Sequence, residues 1–280
     1  MRRKQLAAAP AAVLSILYTR TYAIWMNEKH PRESEVIKNI HLLRQMVGQK
    51  FKTFMSKEEL SPEQIKLARA YITQVADPKA QGDCYEKLQY KVPYFNQRDS
   101  EAYPEIGGGM CNLSSMAMGL CLFGVSNPHK DMQYDDALEK IRRDQGMRDR
   151  EKSGQMDIAN HFGYYFGGIE GSSKQYIDNT YVGELHQADY KWWSKNVIPE
   201  LRRGNAITLG IKDKTNSSHG HIVHLLGVRS EGLYIHDPYG KINFSTSTYI
   251  SGWSKNDKAD PMRGKSNFLE FCKFKKMQDI

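Results

Sequence analysis

"GHIVHLLGVRSEGLYIHDPYG", residues 220–240, holds two apolar runs on either side of the turn Arg229-Ser230-Glu231-Gly232. Apolar runs flanking a short glycine-containing turn predict a β-hairpin. The stretch also carries His221, His224, His236 and Asp237, more polar groups than a hairpin buried only for packing needs. Along the first strand His219 and His221 share one face and His224 takes the other. A simple four-residue turn pairs Val228 with Leu233 and sets Asp237 opposite His224. For His221 to meet Asp237 instead, the register must shift by an odd number of residues, as at a bulge.

The hairpin belongs to a chain of 280 residues, 40% hydrophobic and 26% charged, a balance that suits a soluble globular protein with a substantial core. A net charge of +8 favours anionic partners of several kinds. No basic helix interleaved with aromatics marks a nucleic-acid surface, so nucleic acid is not expected as a partner. Cys84, Cys111, Cys121 and Cys272 are too few and too dispersed for a disulfide framework, and no C-x-x-C motif is present. The start, "MRRKQLAAAPAAVLSILYTRTYA", pairs a basic head with an apolar run from Leu6 to Tyr18 that is too short to span a bilayer. It reads as an amphipathic helix rather than a cleaved signal. The protein is expected to be soluble, and the sequence leaves open whether it is cytoplasmic or exported from a bacterium.

Apolar spacing predicts a helix over 34–54, and Ser61-Pro62-Glu63 predicts the start of another. Residues 1–80 are therefore expected to form a helical N-terminal region, with "ADPKAQGD" (76–83) as a linker. In the main domain, 81–280, "KVPYF" (91–95) predicts a short strand and 96–109 a polar, glycine-rich loop. "CNLSSMAMGLCLFG" predicts a helix ending at Gly124. Further helices are predicted over 133–146, 155–163 and "ADYKWWSKNVIPELRRG", which Gly204 stops. Strands follow in "AITLGI", "HIVHLLGV", "LYIHD" and "NFLEFCKF". Helices first and antiparallel strands last predict an α+β domain.

Cys111 opens the apolar helix just after Gly107-Gly108-Gly109-Met110. There the helix dipole and unpaired N–H groups favour a thiolate, the reactive form of cysteine. Such a nucleophile needs a base, a group to orient the base, and donors for an oxyanion. The hairpin offers His221 and Asp237, and Gln97, upstream in "VPYFNQ", offers an amide. The order is donor, nucleophile, base, orienter.

That order resembles the papain-like cysteine peptidases, in particular the peptidase C39-like family. "VPYFNQRD", "GGGMCNLSSMAMGL", "IPELRRGNAITLGI" and "GHIVHLLGVRSEGLYIHDPYG" carry the resemblance, over roughly residues 90–245. It implies a papain-like fold with an N-terminal helical extension and hydrolysis of a peptide or amide bond. It also implies Cys111 as nucleophile, His221 as general base, Asp237 as its orienter and Gln97 as oxyanion-hole donor, with no cofactor and no metal. A peptide or protein would be the substrate. Asn112-Leu113-Ser114 departs from the Gly-Pro-Thr that follows the cysteine in many relatives. The long interval before His221 implies a helical insertion over 131–200 beside the cleft.

Other readings compete. His224 is the alternative base. His219, His221 and Asp237 have the makings of a zinc site, which would leave Cys111 idle. Ser114 and Ser115 lack a G-x-S-x-G elbow and read as residues that bond locally in a helix. Trp192-Trp193 reads as core, and His236 as solvent-facing or structural. At the level of function the alternatives are a peptidoglycan amidase or acyltransferase with a toxic or lytic role, and a binding protein that has lost activity.

Overall fold

A computed structural model of the chain describes residues 48–168, 187–213, 220–229, 232–239, 249–251 and 266–276. The expected N-terminal amphipathic segment, residues 34–47 of the 34–54 helix, and His219 lie outside these residues. Residues 48–56 are helical.

Helix α1, Pro62–Ile72, begins where its sequence signals place it: Ser61 Oγ accepts from the Gln64 amide and the Gln64 side chain accepts from the Ser61 amide. This reciprocal capping box contributes about 1 kcal/mol. The stretch expected as a linker is instead the start of α2, Pro78–Gln89. Asp77 caps it by accepting from the amides of Lys79 and Ala80, at 3.3 and 3.0 Å. The Asp-Pro pair is an N-cap with proline at the first helical position, a geometry as consistent with that dipeptide as a loop is. The boundary expected at residue 80 thus falls inside α2. Leu60, Ile65, Ala68 and Ile72 share one hydrophobic core with the Cys111 helix.

That helix, α3, spans Cys111–Leu122 and is apolar on all sides, so it lies inside the fold. Every one of its residues is buried except Cys111, which is half-exposed at the N-terminal end. Helices α4 (Tyr134–Asp144) and α5 (Lys152–His161) pack beside it. Helices α6 (Gln187–Asn196) and α7 (Ile198–Arg202) meet at Val197, just before Pro199. The buried Gln89 holds α2 to this region, donating to the carbonyls of Leu201 and Asn205.

Six strands form one sheet: β1 (Tyr164–Gly168), β2 (Ala206–Asp213), β3 (Gly220–Arg229), β4 (Gly232–His236), β5 (Tyr249–Ser251) and β6 (Ser266–Lys276), in the order β1-β6-β2-β3-β4-β5. All neighbours pair antiparallel except β4 and β5, which run parallel. Consecutive residues of β2 and β3 are buried, including Ile207, Thr208 and Leu209 and the run Val223–Leu226, so both faces of the central sheet are covered. Helix α3 packs across β2 and β3. The chain is α+β, as expected.

Three sequence expectations need correction. Residues 91–95 make no strand: they run without sheet pairing beside the segment that follows β4. The 131–200 region is not a purely helical insertion, because it contributes β1, which pairs with β6 and completes one end of the sheet. The strands β1 and β5 were not predicted, the first because "YYFGG" ends in two glycines and the second because it has three residues. Among the described residues no helix is long and apolar enough to cross a membrane.

Candidate functional site

The hairpin that decides the site is built around a bulge. Val228 pairs with Leu233, as a simple turn requires, but the register slips between Leu225 and Gly227, so that Leu225 pairs with Ile235 and His224 with His236. Leu226 is the extra residue. Continuing the ladder one step sets Asp237 opposite Val223, on the same face as His221 and diagonal to it. The signal was present in the sequence: a lone glycine inside an apolar strand often marks a bulge or a close approach. At Gly227 it is both, since a Cβ there would lie 1.9 Å from the Tyr90 hydroxyl.

The odd shift brings His221 Nε2 to 2.6 Å from Asp237 Oδ1, with His221 at 6% and Asp237 at 0% exposure. A carboxylate only accepts, so Nε2 carries the proton and Nδ1 is the ring's remaining acceptor. Asp237 Oδ1 also accepts from the Tyr239 amide at 2.8 Å, closing a turn over Pro238. Its other oxygen, Oδ2, is buried without a hydrogen-bond partner among the described residues. The Tyr239 ring meets the His221 ring edge-on at 6.2 Å, and the Arg98 guanidinium lies 4.4 Å over the far ring of that pair, Tyr239.

The segment 91–97 buttresses this turn. Val92 O contacts His236 Nε2 at 3.1 Å, Tyr94 donates its hydroxyl to Asp237 O at 2.9 Å, and the Gln97 amide donates to Pro238 O at 2.9 Å. Gln97 therefore links the Asp237 turn to the loop before the cysteine. Its side-chain Nε2 donates to the carbonyls of Gly107 and Gly108, at 3.2 and 2.7 Å, while its Oε1 is buried without a partner. Gly107 is required here, because a Cβ would sit 2.8 Å from the Gln97 carbonyl.

Cys111 is the first residue of α3, and no side chain of Met110 caps the helix. Unpaired amides and the dipole at such an end stabilise an anion. One turn on, Ser115 Oγ donates to Ile222 O at 3.2 Å, fastening the first turns of α3 to the residue beside His221. The expectation of purely local bonding for the serines is corrected: Ser115 reaches across to β3, and Ser114 bonds both Met110 O and the carboxylate of Asp135. Burial pushes Asp135 up to about 6, against the opposing pull of the Ser114 hydrogen bond. Asn112, the residue that departs from the family pattern, donates its amide to Arg150 O and accepts from the Leu113 amide.

The other candidates separate cleanly. His224 is fully buried, both ring nitrogens lack a hydrogen-bond partner among the described residues, and desolvation holds its pKa near 3. It is a neutral core histidine, on the face away from Asp237. His236 is not solvent-facing but buried against Val92. Cys121 is fully buried and Cys84 half-buried, and desolvation raises both thiols. Trp193 is core, while the side chain of Trp192 lies outside the described set. Among the described residues no three His, Cys, Asp or Glu side chains gather as metal ligands. No protein-family model, curated protein or solved structure matches the chain.

Proposed function

We propose that the chain is a cysteine peptidase or amidase of papain-like design, hydrolysing a peptide or amide bond through Cys111, His221 and Asp237. The observation that carries this reading is the buried His221–Asp237 pair, at 2.6 Å, on the strand to which Ser115 fastens the Cys111 helix. Cys111 is also the one residue of α3 that is not buried.

In this mechanism Nδ1 of His221 takes the Cys111 proton and the thiolate attacks the carbonyl carbon. Asp237 stabilises the positive charge the imidazole acquires and fixes its orientation through Nε2. Backbone amides at the start of α3 hold the oxyanion. Gln97 joins them by exchanging its longer bond, to Gly107 O, for the substrate oxygen. His221 then protonates the leaving amine, and water releases the acyl group from sulfur.

The test is the pH dependence of Cys111 alkylation by iodoacetamide, read by peptide mass spectrometry. Rapid labelling at Cys111 below pH 7, lost in His221→Ala and kept in His224→Leu, is the expected result. Labelling of Cys111 no faster than an ordinary thiol would sink the proposal. The charge of +8 fits an anionic wall polymer as well as a peptide, and hydrolysis of purified cell wall by the parent but not Cys111→Ala would select the amidase form.

A further inference from the structure

The arginines divide into two groups. Arg142, Arg143, Arg148, Arg202 and Arg203 each hold an acidic side chain in a salt bridge. Arg69 spends its guanidinium on the carbonyls of Leu122 and Gly204 and on the faces of Tyr85 and Phe123. That leaves Arg98 and Arg150, whose guanidinium groups hold no acidic side chain among the described residues. Both adjoin the candidate site, one on each side of it.

Arg98 follows Gln97 and rests on Tyr239, the ring that touches His221. Its Nε and Nη2 are enclosed and make no hydrogen bond among the described residues. That same edge shows its use in Arg142, whose Nε and Nη2 grip the two oxygens of Glu139, each at 2.8 Å. A guanidinium edge of this kind matches a carboxylate, and leaving it empty is costly. The half-buried Tyr239 ring lies against that guanidinium.

Arg150 stands on the cysteine side. It lines a cleft of about 410 Å³ with Gly109, Asn112, Arg142, Asp149 and Glu151. Gly109 and Asn112 flank Cys111 in sequence, and the Asn112 bond to Arg150 O pins the arginine's backbone beside the nucleophile. Its guanidinium makes one long bond, from Nη1 to Gly109 O at 3.4 Å. Of the two acids in the cleft, Asp149 commits Oδ1 to the Glu151 amide and Ser153 hydroxyl, and Glu151 stands exposed; neither pairs with Arg150. Arg142 is already neutralised by Glu139.

We infer that the site takes a substrate bearing a carboxylate next to the bond it cleaves, read by Arg98 on the His221 side and Arg150 on the Cys111 side. The inference rests on the thiol chemistry proposed above and adds the substrate class to it. The carboxylate belongs either to an acidic side chain or to a free chain terminus; both present the same planar pair of oxygens.

Iodoacetate and iodoacetamide separate the two proposals, because they deliver the same carbon to sulfur with and without a carboxylate. The ratio of their rates at Cys111 cancels any general change in thiol reactivity. That ratio is expected to fall about fivefold to tenfold in Arg150→Gln and in Arg98→Gln. Arg150→Lys, which keeps the charge and loses the fork, should recover part of it. Should Arg98→Gln fail to fold, Arg150→Gln decides alone. Fast labelling by iodoacetamide with a ratio that no variant moves overturns the carboxylate inference and spares the thiol chemistry. Slow labelling of the parent by both reagents overturns both. Protection of Cys111 by a glutamate peptide with blocked ends assigns the carboxylate to a side chain. Protection by a neutral peptide with a free C-terminus assigns it to the terminus, and protection by neither counts against the inference.

Discussion

His221 and His224 lie on one strand and are both buried, yet the fold treats them in opposite ways. His221 faces Asp237 across a 2.6 Å contact, on the strand to which Ser115 ties the helix that Cys111 opens. His224 points to the other face, opposite His236, with neither ring nitrogen bonded among the described residues. The same side chain is proposed as a proton carrier in one place and is held neutral in the other. What separates them is the phase of the strand relative to Asp237, and one residue, Leu226, sets that phase.

The comparison is broken most severely by changing that phase. One alanine inserted between Ile222 and Val223 keeps the bulge and the pairing of Leu225 with Ile235 and turns His221 to the face away from Asp237. Cys111 alkylation by iodoacetamide at pH 6 should slow by about 10²-fold, the penalty of misplacing one catalytic partner. An insertion variant that folds, by circular dichroism, and still labels at the parent rate would show that the phase of the strand is irrelevant to the site.

Asp237→Asn leaves the register intact and removes only the charge. The proposed thiolate then loses the carboxylate that supports its imidazolium, and labelling at pH 6 should slow about tenfold, the equivalent of one pKa unit. An unchanged rate would mean that the buried pair is structural.

The smallest effect sharpens the other side. Because burial lowers His224 to about 3 from its ordinary value near 6.5, the unfolded chain binds a proton that the folded chain refuses. Stability from this residue is present above pH 6.5 and is lost as pH falls toward 3. The loss between pH 6 and pH 5 is about 1 kcal/mol. Asp135 has the opposite sign: pushed up to about 6, it favours the fold at low pH and loses that contribution as pH rises through 6. Urea melts at pH 6 and pH 5 on the parent and on His224→Leu separate the two. The stability difference between them should move by that 1 kcal/mol in favour of the variant at the lower pH, and a constant difference would contradict the buried neutral state.

Much of this was legible beforehand. The α+β composition, the helix opening at Cys111 and the hairpin strands follow from periodicity, glycine stops and capping residues. His221 and Asp237 were identified through a resemblance and against the simplest register, and the bulge now supplies the physical reason for their meeting. Less was legible where residues act at long range. Nothing local tells that Asp77-Pro78 starts a helix rather than a linker. Nor does spacing show that Tyr94, Gln97 and Asp237 lie together, because "VPYFNQ" pairs with no strand and is held by isolated hydrogen bonds. The proposed roles of Arg98 and Arg150 were invisible for the same reason: whether an arginine holds an acidic partner shows only in the folded chain.

The strand order carries a consequence for how the molecule is made. Every proposed catalytic group lies between residues 97 and 237, whereas β6, which begins at Ser266, occupies the interior of the sheet between β1 and β2. During synthesis from the N-terminus, β1 and β2 must wait with open edges until this later stretch emerges, the situation in which nascent sheets pair with the wrong neighbour. Sequence-distant pairing also makes the closing step slow. A chain released before Ser266 therefore contains every group of the proposed mechanism and lacks the strand that joins β1 to β2.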